Sequence, residues 1–140
     1  MRHVLIPLDG SEPSERALTH ALETVPDADV TLLTIIDPST GFSVGAGTPG
    51  AAEVWYESKR EQTEARLAEA SETIATRGMT SETVVETGRP AATIVEYAEN
   101  HDIDHIIMGS HGRKGVSRLL LGSVAESVIR RSPVPVTVVR

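Results

Sequence analysis

Apolar and polar residues come along this chain in blocks. Residues 2 to 8, RHVLIPL, form a nearly unbroken apolar run that stops at Asp9-Gly10-Ser11. Such a run is the pattern of a strand buried on both faces of its sheet. Ser11 is a good helix N-cap, and Pro13 falls in the first turn, where its missing N–H costs nothing. Ala17, Leu18, Ala21, Leu22 and Val25 then recur at helical spacing. Pro26 and Asp27 break that helix, and VTLLTII over 30–36 predicts a second buried strand ending in Asp37-Pro38. The segment from Ser39 to Gly50 is rich in Gly, Ser, Thr and Pro, shows no period, and reads as a mobile surface loop.

A long, half-exposed helix is predicted from Ala51 to Arg77, with Trp55, Ala65, Leu67, Ala68 and Ile74 among its few apolar residues and Gly78 placed to end it. ETVVET over 82–87 is a short third strand, and Gly88-Arg89-Pro90 opens a helix with Ile94, Val95 and Ala98 on one face. HIIMG over 105–109 is the fourth strand. A glycine-rich connection leads to a helix over Ser123 to Arg131, and PVPVTVVR closes the chain with a fifth strand. Strands alternating with helix-length crossovers predict one α/β domain over 1–140, a doubly wound parallel sheet with helices on both faces. Such sheets bind ligands beyond the carboxyl ends of their strands, where the strand order reverses. With five strands the reversal falls between strands 1 and 4, so Asp9 and Gly109 are expected to face one crevice. The final strand is then an exposed apolar edge, which a two-fold partner would close by pairing it with its own copy.

Composition narrows the function classes. A chain of 140 residues with 39% hydrophobic and 24% charged residues can bury an ordinary core. It has no cysteine, which removes disulfides and thiolate chemistry and fits a reducing compartment. No apolar run approaches the ~20 residues of a membrane span, and the first residues lack a signal peptide's core, so a cytoplasmic address is expected. The formal net charge of −7 argues against nucleic acid as a partner. Any anionic ligand must be held by local features.

Those features gather in MGSHGRKGVSRLLLGSVAES, residues 108–127, between a predicted strand and a predicted helix. Gly109, Gly112, Gly115 and Gly122 offer bare backbone N–H groups beside a helix N-terminus, where phosphate is readily held. Arg113, Lys114, Arg118 and His111 make this the most basic cluster of an acidic chain. Blander readings stand beside this one: Asp9 as a turn cap, Ser123 as an N-cap, and the cations as a solvated loop face. Gly45 to Gly50 spells G-x-G-x-x-G, but it lies beyond the end of its strand and carries a proline at the would-be helix entry, so it reads as loop. The usual P-loop sequence does not occur. The five histidines form no convincing metal spacing, and Ser110-His111 reads as no hydrolytic pair, because sequence neighbours are expected to point apart.

Gly109-x-x-Gly112, nine residues, then Gly122-Ser123 resembles the nucleotide motif of the universal stress protein family, in its ATP-binding subgroup. VLIPLDGSEPSERAL over 4–18 and the ending SPVPVTVVR are also similar to that family, so the likeness covers nearly the whole chain. It implies a Rossmann-like five-stranded sheet of order 3-2-1-4-5, ATP (or AMP or ADP) with magnesium in the crevice, and a homodimer through the last strand. It assigns Asp9 to the nucleoside end and Ile35 to a backbone contact with adenine, with Met108 and Gly109 at the ribose and α-phosphate. Gly112, Gly122, Ser123 and Val124 would offer main-chain N–H groups to the phosphates. Pro7, Leu8, Ser110 and Arg113 complete the implied nucleotide-binding set. A side chain at Gly122 would then occupy phosphate space while leaving the fold intact. With no general base in position, the expected role is regulation with slow or no hydrolysis; the alternatives are a nucleotide hydrolase or adenylyl-transfer enzyme, and a dimeric interaction module with an empty crevice.

Overall fold

A computed structural model describes residues 2–41, 49–111 and 120–140. Strand β1 spans His3–Pro7, helix α1 Glu12–Thr24, and strand β2 Asp29–Ile36. Helix α2 spans Ala51–Thr76, strand β3 Ser81–Thr87, and helix α3 Pro90–Asn100. Strand β4 is His105–Gly109, helix α4 Ser123–Arg131, and strand β5 Val136–Val139. All strand pairs are parallel, in the order β3-β2-β1-β4-β5, as expected.

β1 lies at the centre, and Val4, Leu5 and Ile6 are fully buried. Successive side chains of a strand leave opposite faces, so one apolar run feeds two cores. Val4 and Ile6 pack with Ala17, Leu18, Ala21 and Leu22 of α1 and with Leu67 and Ile74 of α2. Leu5 packs on the other face with Ile94 and Val95 of α3 and Ala125 and Val128 of α4. Each fully buried aliphatic side chain contributes about 1.5–3 kcal/mol, so both faces hold the central strand in place. Among the described residues no helix is long and apolar enough to cross a membrane.

The helix ends follow their local chemistry. Ser11 caps α1, its Oγ accepting from Ser14 N at 3.3 Å, and Pro13 sits in the first turn. Gly78, at φ +74°, lets the chain leave α2 in a left-handed conformation that a β-carbon would strain.

One expectation needs correction. The segment from Ser39 is not loop throughout, because Pro38–Gly41 form a 3₁₀ turn. Asp37 drives it, Oδ1 accepting from both Ser39 N at 2.9 Å and Ser39 Oγ at 2.7 Å. Residues 42–48, with Gly45 and Gly47 of the G-x-G-x-x-G sequence, lie outside the described residues. The stripe that α2 buries is Thr63, Leu67, Ala70 and Ile74, at spacings of four, three and four. Helical pitch therefore brings in Thr63 and Ala70 and leaves Ala65 and Ala68 exposed. Trp55 packs on the 3₁₀ turn, its ring lying where a β-carbon on Gly41 would stand.

Half-buried His105 lies within 2.8 Å of Thr137 Oγ1, Nε2 bridging β4 and β5. Burial, then Arg2 and His20, lower its pKa from the ordinary 6.5. The folded state thus prefers neutral imidazole, and the unfolded chain binds more protons in the window below pH 6.5. Stability is complete above that value and is lost as the pH falls through the lower folded one. The thermal stability of wild type should therefore decline as the pH falls below about 6.5. His105→Gln should show a shallower decline, and an unchanged pH dependence would contradict this account.

Candidate functional site

The strand order reverses between β1 and β4. The chain leaves β1 and β2 toward the α1–α2 face and leaves β3 and β4 toward the α3–α4 face. The carboxyl ends of β1 and β4 therefore part, and a cleft of roughly 300 Å³ opens between them, within the usual range of small-molecule sites. Pro7, Leu8 and Asp9 enter it from the end of β1, Ile35 from β2, Met108 and Gly109 from β4, and Gly122, Ser123 and Val124 from the start of α4. The cleft thus gathers these sequence-predicted positions. Ser110 is buried beside it, and Gly112 and Arg113, with Lys114, Gly115 and Arg118, lie outside the described residues.

One end of the cleft is apolar with a polar backbone edge. Leu33, Ile35, Ile94 and Met108 line it and also belong to or pack against the α3–α4 core. Alternate residues of a strand turn their N–H and C=O groups to alternate neighbours. Leu33 turns to β1, its carbonyl accepting from Leu8 N at 2.8 Å, and Ile36 turns to the β3 side, accepting from Gly88 N at 3.1 Å. Ile35 shares the side of Leu33, but β1 has ended by then, since its register with β2 closes at Pro7↔Leu33. Both main-chain groups of Ile35 are thus directed into the gap that β1 leaves. Leu8 offers no such pair, because its carbonyl accepts from Thr34 Oγ1 at 2.7 Å.

The other end is the first turn of α4. A helix leaves its leading N–H groups without intrahelical partners, and they carry the positive end of its dipole. In α1 this end is occupied, by the Ser11 cap and the acidic Glu12 and Glu15. In α4 the N-cap is Gly122 and among the described residues no side chain caps the turn, so the amides of Ser123, Val124 and Ala125 open onto the cleft. The carboxylate of Glu126, also in that turn, pairs with Arg130 at 2.8 Å on the exposed side of the helix. Asp9 Oδ1 accepts from Ser11 N at 2.9 Å as a turn cap, and the residue lines the cleft.

Gly122 acts differently from expectation. Its N–H donates to Ser110 O at 2.7 Å. A β-carbon on Gly122 would stand 2.8 Å from Ser110 O and 2.9 Å from His111 Cα, so the bare position admits the neighbouring backbone. Gly109 likewise admits α1, since its β-carbon would meet Pro13 C at 2.7 Å and Ser14 N at 2.8 Å. Nor do Ser110 and His111 point apart: Ser110 Oγ lies 3.1 Å from His111 Nδ1.

Sequence reading left Ser11, Ser14, Leu33, Pro90, Ile94, His111 and Ala125 out of the nucleotide-binding set. Their sequence signals report helix capping, core packing or the basic loop and carry no mark of the cleft. Two other histidines have structural partners: His101 stacks on Tyr97 with centroids 3.8 Å apart, and His3 bonds Thr31. Among the described residues no three His, Cys, Asp or Glu side chains cluster as metal ligands.

The sequence profile of the universal stress protein family matches residues 1–140. Two universal stress proteins of Methanocaldococcus jannaschii are 36% and 35% identical, each alignment covering 99% of this chain and 82% and 94% of the relative. The solved structure of the second superposes with a TM-score of 0.85 at 34% identity, covering 99% of this chain and 94% of that one. A universal stress protein solved in complex with cAMP superposes at 0.70 with 28% identity, covering 99% and 97%.

The backbone contact predicts that Gly122→Val costs about 1–3 kcal/mol of stability through overpacking, lowering Tm in the ligand-free protein. An unshifted Tm would restore the view that this glycine only clears space for phosphate.

Proposed function

Because the chain belongs to the universal stress protein family, we propose that its cleft binds an adenine nucleotide, ATP or its shorter relatives, as a regulatory ligand with slow or no hydrolysis. The observation that carries this reading is the uncapped first turn of α4 opening onto the cleft. Peptide amides at a helix start bind phosphate without a net-positive protein, which suits a chain of charge −7. The Ser123 hydroxyl stands at the same turn as a further donor.

The apolar end suits a flat base. Adenine carries an exocyclic amino donor beside ring-nitrogen acceptors, and the paired C=O and N–H of Ile35 complement that edge. Leu33, Ile94 and Met108 supply the apolar surface on which a ring lies. Asp9, with one carboxylate oxygen held by Ser11 N, keeps the other for a ribose hydroxyl. The 28%-identical relative solved with cAMP supports a nucleotide in this fold. Asp9 is the one carboxylate lining the cleft among the described residues, so magnesium would arrive on the phosphates with most of its water shell, the usual habit of that ion.

Calorimetry and thermal shift test the nucleotide. ATP or AMP at about one hundred times Kd should add about 2.7 kcal/mol to stability. Asp9→Ala should weaken binding about tenfold, as expected for loss of a hydrogen bond to a charged group. No heat and no shift at millimolar nucleotide would leave the interaction-module reading in its place.

The same reading makes the protein a homodimer through β5. Pro135 and Val139 turn their carbonyls to β4, accepting from Ile106 N and Ser110 N, so Val136 and Val138 turn their main-chain groups outward. Val138→Pro removes an outward N–H without touching the β4 ladder, and proline is tolerated on such an edge. Light scattering should find a wild-type dimer and a folded monomeric variant. A variant that remains dimeric would place the interface elsewhere.

A further inference from the structure

Ser110 and His111 leave β4 together, and their environments differ. Ser110 is 4% exposed and does not line the cleft, whereas His111 is half-buried and does. Ser110 Oγ lies 3.1 Å from His111 Nδ1, and among the described residues the imidazole is the only partner of that hydroxyl. Two proton arrangements can make this bond. If Nδ1–H donated, the buried hydroxyl would hold a proton with no acceptor among the described residues, and an orphaned buried donor is costly. If the hydroxyl donates, its proton is satisfied and only lone pairs are spare. The second arrangement fixes the neutral ring with its proton on Nε2.

The backbone holds this pair rigidly. Ser110 N donates to Val139 O at 2.8 Å, and Ser110 O accepts from Gly122 N at 2.7 Å. A β-carbon on Gly122 would stand 3.1 Å from His111 Cβ, so the imidazole grows from the wall against which the first turn of α4 is pressed.

We propose that His111 is a neutral hydrogen-bond donor to the phosphate of the bound nucleotide, acting through Nε2–H, and that Ser110 is the positioning residue that sets this tautomer. The proposal rests on the nucleotide reading above and adds a side-chain donor to the three main-chain amides at that end of the cleft. Ser110 acts from behind the wall, through the ring, and touches no ligand.

The test compares AMP with adenosine by calorimetry, alongside long-range ¹⁵N–¹H spectra of the histidine rings. Ligand-free wild type should show His111 as the Nε2–H tautomer, and Ser110→Ala should mix the two tautomers. His111→Ala should weaken AMP about tenfold, the effect of losing a hydrogen bond to a charged group, and leave adenosine unchanged. His111→Gln, whose side-chain amide carries an N–H near the position of Nε2, should restore most of the AMP affinity. A wild-type ring protonated on Nδ1, or equal losses for AMP and adenosine, would overturn the proposal. If AMP binds wild type and His111→Ala alike, the nucleotide reading stands and the role of His111 falls. If wild type binds neither compound, both fall together.

Discussion

The site depends on two stretches of backbone that touch. At the end of β4 the Ser110 carbonyl accepts the Gly122 amide at 2.7 Å, and the Ser110 amide reaches across to Val139 of β5. One peptide thus ties the fourth strand, the fifth strand and the start of α4 into a single corner. Contact at this distance leaves no volume for a side chain, so position 122 must be glycine for reasons internal to the fold. The corner sets where the first amides of α4 point, and an anion site made of amides is only as good as their fixed direction.

That corner matters because of how the sheet is wound. β1 is buried on both faces and is flanked by strands whose connections leave to opposite sides. The gap at its carboxyl end is a consequence of this winding and needs no cavity-forming residues. Two kinds of main-chain group without a partner among the described residues face the gap: the edge of Ile35, stranded when β1 stops, and the leading turn of α4, whose N-cap is a glycine. Buried polar backbone without a partner is rare and costly, and here both sets lie at the mouth of one cleft, where solvent or a ligand satisfies them. The arrangement would also reconcile the proposed anionic ligand with an acidic chain, since the attraction would come from oriented peptide dipoles close at hand.

The helix layers show where sequence pattern is informative and where it stops. α1 and α3 were legible because their apolar residues repeat at helical spacing and their first turns carry Ser11-x-Pro13 and Pro90. α2 was legible in extent but not in orientation. Its few apolar residues do not lie on one face, and contact with the sheet chose Thr63 and Ala70 over Ala65 and Ala68. The turn at Pro38–Gly41 went unread because a composition rich in Gly, Ser and Thr conceals the local bonds of Asp37.

The sequence alone determined the five strands and their alternation with helices, because buried apolar runs and capping residues act within a few neighbours, while the order 3-2-1-4-5 came with the family resemblance. It also singled out 108–127 and Asp9 as candidates for chemistry. Only the tertiary structure decided the contacts that Gly109, Ser110, His111 and Gly122 make. Gly122 spends its amide on Ser110, Gly109 makes room for α1, and Ser110 and His111 face each other where they were expected to diverge. These are contacts between segments distant in sequence, or torsion choices fixed by packing, and neither leaves a trace in the spacing of residue types along the chain.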